Sequence, residues 1–265
     1  MHYVMSDIHG CYEEFIEMLE LINFKNEDDL YILGDILDRG ENPIKILQYI
    51  KNKSNIHMLL GNHEDMMLSY YKRKEYEDSN KEELDSQNLW FIDDSLEAKQ
   101  LWFRNGGEIS YNQLNDLNKE EFNDCLDYIK KLKLFEVLEI NNQKYLLVHA
   151  GIYPYHKDEI NELLKEQIKD DIVWIRDRFI ESEYKYPFKI IFGHTPVSYV
   201  YKNLYSYDKM LERLKKEPLI EKYEENKIIF FNNKIGIDGG CVFGGNLTCL
   251  RLEDLKEFFV SKKEG

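Results

Sequence analysis

No run in this chain approaches 18 consecutive apolar residues, so a membrane-spanning helix is excluded. Cysteine is scarce, at four residues (Cys11, Cys125, Cys241 and Cys249), and no two form a CxxC pair. The chain opens MHYVMSD, without the basic and apolar regions of a secretory leader, and the two features together predict reduced thiols in a cytoplasmic protein. Proline numbers 5 and glycine 14 in 265 residues, and no Pro/Gly/Ser-rich linker divides the chain, which favours one domain over residues 1–265. Positive charge is also short, with 35 basic against 50 acidic residues and a formal net charge of −15. A surface of that sign repels polyanions and weighs against nucleic acid or an anionic membrane as partner. Internal repeats and low-complexity tracts are absent.

What the chain does contain is a sizeable core, with 43% hydrophobic and 14% aromatic residues, organised around the stretch Tyr31-Ile32-Leu33-Gly34-Asp35-Ile36-Leu37-Asp38-Arg39-Gly40. It reads as a buried strand opening into a loop bounded by glycines. Two carboxylates crowded at a strand end repel each other and lose solvent, so a positive partner is expected there.

The same rhythm of strand, polar loop and helix occurs three times from the start of the chain. Residues 2–5, 29–33 and 57–60 read as strands. Residues 11–22 form a helix with Phe15, Met18, Leu19 and Ile22 on one face, and residues 43–51 a helix with proline in its first turn. Such units predict a parallel sheet with chemistry at the carboxyl ends of its strands. Each strand delivers potential ligands: Ser6-Asp7-Ile8-His9-Gly10, then Asp35 and Asp38, then Gly61-Asn62-His63-Glu64.

Residues 65–132 break the rhythm and read as a mainly helical insertion. Within it, the turn from Trp102 through Asn105-Gly106-Gly107 to Glu108 is either structural or a substrate-side loop. Strands then return at 134–140 and 144–148, paired around Asn141-Asn142, and lead into His149-Ala150-Gly151. Residues 170–179, with Trp174 and Arg176, read as a strand end or helix start, and 203–226 as polar helix and loop. The run 189–192 opens into Gly193-His194-Thr195-Pro196. The runs 228–231, 234–237 and 247–252 read as antiparallel strands, with Asp238-Gly239-Gly240 as a turn or part of the site's surroundings.

Asp7, His9, Asp35, Asn62, His149 and His194 together make a set of oxygen and imidazole donors without thiolate, which suits Mn²⁺ or Fe²⁺, with Zn²⁺ an alternative. Six donors exceed one open site, so two ions are expected, with Asp35 able to bridge ions roughly 3.5–4 Å apart. His2, His57 and His156 lack such company and are read as structural.

The blocks SDIHG, GDILDRG, GNHE, VHAG and FGHTP resemble those of the calcineurin-like metallophosphoesterases. GDILDRG, VWIR and IDGGCVFGGNLTCL resemble, more narrowly, bacterial serine/threonine protein phosphatases of the phosphoprotein phosphatase family. The blocks run from about residue 7 to 250 and are specific for fold and metal site, much less so for substrate.

The resemblance implies an α/β (α+β) fold, a two-layer β-sandwich flanked by helices. It implies that Asp7 and His9 hold a first ion, Asp35 bridges, and Asn62, His149 and His194 hold a second. It makes His63 the general acid oriented by Asp38, and Arg39 and Arg176 the phosphate clamp, Arg176 being preferred to Arg178 by its spacing from Trp174. Ser6 stands where the family usually has glycine.

A water bridging two ions has its pKa lowered from 15.7 toward about 7, which supplies hydroxide for direct in-line attack at phosphorus. The expected activity is a phosphomonoesterase, acting on phosphoserine or phosphothreonine in proteins or on a small phosphate ester, a choice to which Asp38 and Arg39 tilt the reading. The alternative is a nucleotide anhydride hydrolase similar to the symmetrical diadenosine tetraphosphatases, which share the Asn105-Gly106-Gly107 turn and the GGNLTCL end. A catalytically dead binding module would lack a ligand or the acid, and none is missing. A nuclease would show a basic stripe, which the chain does not.

Overall fold

The computed structural model describes residues 1–79, 92–205 and 220–263. Part of the charged run that follows Lys72, and most of the polar tract 203–226, lie outside the described residues.

The strands assemble into two sheets. One has five strands in the order β11 (Lys256–Ser261), β10 (Asn246–Arg251), β1 (His2–Met5), β2 (Asp29–Ile32), β3 (Ile56–Met58). The other has six in the order β4 (Phe135–Ile140), β5 (Gln143–Val148), β6 (Lys189–Phe192), β9 (Lys234–Gly236), β8 (Ile229–Phe231), β7 (Ile220–Lys222). Strands β1, β2 and β3 are parallel, as are β5, β6 and β9. The open sheet that the strand rhythm predicts is therefore corrected to two sheets packed face to face, the sandwich the resemblance implies.

Side chains alternate across a strand, and here both faces are buried, which is why the strands read as unbroken apolar runs. Val4, Tyr31, Leu33 and Leu59 from the first sheet meet Tyr145, Leu147, Ile191 and Ile235 from the second in one core between the layers. Their neighbours Tyr3, Met5, Leu30, Ile32 and Met58 face outward onto helices, chiefly α1 (Tyr12–Leu21) and α2 (Pro43–Ile50), through Phe15, Met18, Ile46 and Leu47. Leu146, Val148, Ile190 and Phe192 pack outward with α7 (Ile160–Lys165), α8 (Lys169–Trp174), α9 (Asp177–Glu181) and α10 (Val197–Leu204).

Between β3 and β4 the described chain is helical: α3 (Asn62–Ser79), α4 (Ile92–Arg104), α5 (Glu108–Asn115) and α6 (Lys119–Ile129). Asn118 starts α6 with a capping box. Its side chain accepts the Glu120 and Glu121 N–H groups at 3.0 Å, and Glu121 accepts the Asn118 N–H.

The β4–β5 hairpin turns on Asn141 and Asn142, whose φ of 51° and 63° fit a two-residue turn. Residues 170–179 are two short helices rather than a strand, with Ile175 and Arg176 between them. Of the last three apolar runs, β8 and β9 do pair antiparallel, whereas β10 crosses to the first sheet and pairs antiparallel with β1. The residues 237–240 thus bridge the two sheets. The loops that follow β1, β2, β3, β5, β6 and β9 all open at one edge of the sandwich, three from each sheet.

Candidate metal centre and active site

At that edge the sequence-selected residues converge. Asp7, His9, Asp35, Asp38, Asn62, His63, His149 and His194 are all 5% exposed or less. One oxygen of Asp35, Oδ2, lies 3.7 Å from His9 Nε2, 3.4 Å from His149 Nε2 and 3.9 Å from His63 Nε2. Two groups of donors, His9 with Asp35 and His63, and Asp35 with His149 and His194, each fall within 4.8 Å and share Asp35. His149 Nε2 is also 2.9 Å from Asn62 Oδ1 and 3.2 Å from His194 Nδ1, and Asp7 Oδ1 is 4.0 Å from His9 Nε2.

The tautomers show that these donors fit a cation. His149 Nδ1 donates to the Leu33 carbonyl at 2.8 Å and His9 Nδ1 to the Leu37 carbonyl at 2.7 Å. Each ring is thereby fixed with a bare Nε2 lone pair aimed at other acceptors. Lone pairs converging in a buried space are repulsive unless a positive charge sits between them. In this structure the Arg39 guanidinium reaches His9 Nε2 at 2.5 Å, a cation already facing one lone pair, while His194 Nε2 is buried without a hydrogen-bond partner.

Burial moves the acids and bases in opposite directions. It lowers His9, His63 and His194 well below the usual imidazole range, helped at His9 by His63 and at His194 by His149, and it lowers His149 as well. It raises Asp35 and Asp238 well above the usual carboxyl range, with Asp7 adding repulsion to both. The imidazoles are accordingly held neutral, the form that coordinates a metal.

His63 and Asp38 form a separate pair, Nδ1 to Oδ2 at 2.6 Å. Burial pushes Asp38 up to about 7, opposed by the Ser110 hydroxyl and the Trp102 indole. Asp38 holds the proton on Nδ1 and so leaves His63 Nε2 as the atom that takes up or gives a second proton.

Arg39 and Arg176 line one pocket of about 210 Å³ together with Asp7, His9, His194, Asp238 and Phe243. Arg178 instead points to Tyr153, with its guanidinium 5.6 Å from that ring, so position 176 is the one at the site. Asp238, left open between turn and site by sequence, is part of this pocket wall. His2, His57 and His156 lie elsewhere, against Glu253, Asp29 and Tyr184 respectively.

The sequence missed three supports. Glu64 is fully buried and its carboxylate accepts four backbone N–H groups: Asp35 at 2.8 Å and Gly61 at 3.1 Å on Oε2, Ile36 at 3.1 Å and Leu37 at 3.2 Å on Oε1. Burial pushes this carboxyl up to about 8, yet all four lone-pair sites are taken by donors, which leaves no place for a proton and favours the charged form. Its signal was available, since Glu64 is the third residue of α3 reaching back to the N–H before the helix, as in a capping box.

Trp102 donates its indole N–H to both Asp38 oxygens at 3.0 and 2.9 Å, and Ser110 Oγ accepts the Asp38 N–H at 2.8 Å. The Arg39 N–H donates to the Gly106 carbonyl at 3.1 Å. The turn at 102–108 thus braces the catalytic loop, and no local pattern ties it to a residue 64 positions earlier. Phe243 is the third omission: its ring is 68% exposed at the pocket mouth, with the Arg39 guanidinium 5.2 Å above it.

With this geometry in hand, the chain matches the family model of calcineurin-like phosphoesterases over residues 3–231. It is 29% identical to a symmetrical bis(5′-nucleosyl)-tetraphosphatase of Wigglesworthia glossinidia brevipalpis, an alignment covering 99% of each chain. It is also 29% identical to serine/threonine-protein phosphatase 2 of Salmonella typhimurium, over 95% of this chain and 92% of that one. Among solved structures, a candidate diadenosine tetraphosphatase superposes with a TM-score of 0.62 at 17% identity, over 100% of this chain and 94% of the other, a likeness of fold.

Two outcomes follow from the supports. Glu64→Gln sets an amide N–H₂ against backbone donors and should cost about 2–4 kcal/mol of stability, read by urea denaturation together with lower bound metal; an unchanged midpoint would show that Glu64 does not hold the loop. Trp102→Phe should lower kcat about 10–100-fold at unchanged metal content, the scale of losing an outer orienting hydrogen bond, checked by steady-state kinetics beside elemental analysis.

Proposed function

The chain belongs to the calcineurin-like phosphoesterase family, and from that premise we propose that it hydrolyses nucleotide anhydrides, cutting a dinucleoside tetraphosphate at its central anhydride into two nucleoside diphosphates. The observation that carries this reading is the pocket mouth, where Arg39 stands above the exposed ring of Phe243 and beside Arg176. Two guanidiniums suit a phosphate chain, and an exposed ring in reach of them suits a nucleobase. Full-length similarity to relatives named symmetrical bis(5′-nucleosyl)-tetraphosphatase supports the same choice.

Asp7, His9 and Asp35 would hold one divalent ion and Asp35, Asn62, His149 and His194 a second, Mn²⁺ being the first choice with iron or Zn²⁺ as alternatives. When bound, such ions supply charge neutralisation at the phosphoryl oxygens and a water acidic enough to attack at neutral pH. The protein groups do the rest. Arg39 and Arg176 would grip non-bridging oxygens bidentately, which a lysine cannot do. His63 would give its Nε2 proton to the departing oxygen, with Asp38 at 2.6 Å orienting the ring and balancing the imidazolium.

The second reading, a phosphoserine or phosphothreonine phosphatase, is favoured by the acid pair itself, since an alkoxide needs a proton more than a diphosphate does, and by the Salmonella relative.

Rates with Mn²⁺ on diadenosine tetraphosphate and on a phosphothreonine peptide should differ in favour of the dinucleotide; the reverse order overturns the proposal and selects the second reading. His63→Asn should lower the rate on the peptide by about 10²–10⁴-fold and on the dinucleotide by less, with metal content unchanged. An unchanged rate on both would remove His63 from the role of acid. Phe243→Ala should raise KM for diadenosine tetraphosphate about tenfold, within the 1–3 kcal/mol of a base–aromatic stack.

A further inference from the structure

We propose that Cys11 and Cys241 are a modification site, a thiol pair that peroxide converts reversibly to a disulfide and that thereby closes down the phosphoesterase site. Among the described residues all four cysteines are free and buried, but only these two belong to active-site loops. Cys11 follows the turn that carries Asp7 and His9 and immediately precedes α1. Cys241 begins the short 3₁₀ turn Cys241–Phe243 that follows Asp238 and forms part of the pocket wall. Their sulfurs and a Glu14 oxygen lie within 4.8 Å of one another. A disulfide requires about 2.05 Å between sulfurs and a fixed torsion about the bond, so bond formation turns the two side chains toward each other and ties the two turns into one covalent ring.

The same cluster does not suit a metal. Glu14 is already taken by the Lys262 ammonium, 3.1 Å from Oε1, and by the Lys263 N–H at 3.1 Å. A resident cation beside the two sulfurs opposes a second one. It does not oppose oxidation, which leaves the pair uncharged.

The chemistry balances with a peroxide as oxidant. One sulfur attacks a peroxide oxygen and becomes a sulfenic acid while the other oxygen leaves as water, taking up the thiol proton. The second sulfur then displaces the sulfenic oxygen, which departs with the second thiol proton as another water. Two thiols lose two electrons and H₂O₂ becomes two waters. The pocket that Cys241 lines admits a molecule of that size.

The consequence for activity comes from what Cys11 holds. Its thiol lies 3.7 Å from the carbonyl of His9 as a hydrogen-bond donor, and the Gly40 N–H donates to the same carbonyl at 3.1 Å. Oxidation removes the first of these and pulls on the turn that sets His9. On the other side, the tethered turn carries Phe243 and adjoins Asp238.

The test uses the Mn²⁺-loaded full chain treated with peroxide and, separately, with the thiol oxidant diamide. The expected result is a fall from four to two thiols counted after denaturation, and a Cys11–Cys241 linked peptide by mass spectrometry. The rate on para-nitrophenyl phosphate should fall at least about tenfold, a displacement near 1 Å being worth up to about 10²-fold. Dithiothreitol should restore both thiols and rate. Cys11→Ser and Cys241→Ser, each compared with its own untreated rate, should lose the reversible fall, and the Cys125→Ser/Cys249→Ser double variant should keep it.

Four thiols remaining, a link between other cysteines, a link without loss of rate, or an equal reversible fall in Cys11→Ser would each overturn the proposal. The thiol count and the linked peptide are read without any turnover, so they stand even if the enzyme's substrate is neither of those considered above.

Discussion

The Glu64 carboxylate, buried at the base of the metal loops, is the constraint on which the rest of the site depends. It gathers the N–H groups of Asp35, Ile36, Leu37 and Gly61, and so ties the loop after β2 to the loop after β3. The tie matters because the backbone around it is strained. Among the described residues with side chains, positive φ occurs at Asp7, His9, Asp35, Asp38, Arg39 and His194. Every other instance except Leu255 is an asparagine, the residue that tolerates it best. Each such residue costs on the order of 1–3 kcal/mol, and holds only where its surroundings overdetermine it. Here a buried anion, close glycine contacts and the bond from the His194 N–H to Asp7 Oδ2 at 2.8 Å do so.

Close packing of the loops explains the glycines that matter. A Cβ on Gly34 would stand 2.6 Å from the Gly61 backbone, so the two loops touch where neither has a side chain. Only that approach lets Asp35 sit between His9 and His149. The left-handed turns then send consecutive side chains in different directions: Asp35 to the imidazoles, Asp38 to His63 and Trp102, Arg39 toward the pocket. The two carboxylates that crowd one loop in sequence still repel each other, but they point at different partners.

Much of this was legible in the sequence for a physical reason. Each candidate ligand follows a short apolar run and precedes or adjoins glycine, and six such ends can be collected without knowing the sheet order. Strand existence was readable because burial on both faces yields unbroken apolar runs. The same property hid the layering, since an unbroken run does not say which face meets which sheet. The pattern therefore puts β10 beside β9, whereas it lies across the sandwich against β1. Trp102 and Ser110 were hidden by distance along the chain, and Phe243 by its place in an apolar-looking stretch, where exposure cannot be read from residue type. The choice of substrate meets the same limit: Asp38 and Arg39 are local and legible, while the exposed Phe243 ring, on which the proposed nucleotide reading rests, is not.

The charge balance of the pocket adds a last step. Asp7, Asp35, Asp38 and Asp238 enter the site against two guanidiniums, Arg39 and Arg176, on a chain of net charge −15. A polyphosphate brought to that pocket meets a deficit of positive charge at short range, where solvent screening is weakest. Divalent cations and phosphate would therefore reinforce each other's binding, each supplying the charge the other lacks, and by linkage the gain would be the same in either order. On the function proposed above, the acidic surface would repel extended polyanions, while a short phosphate chain that fits the pocket would meet the arginines and the metal donors together.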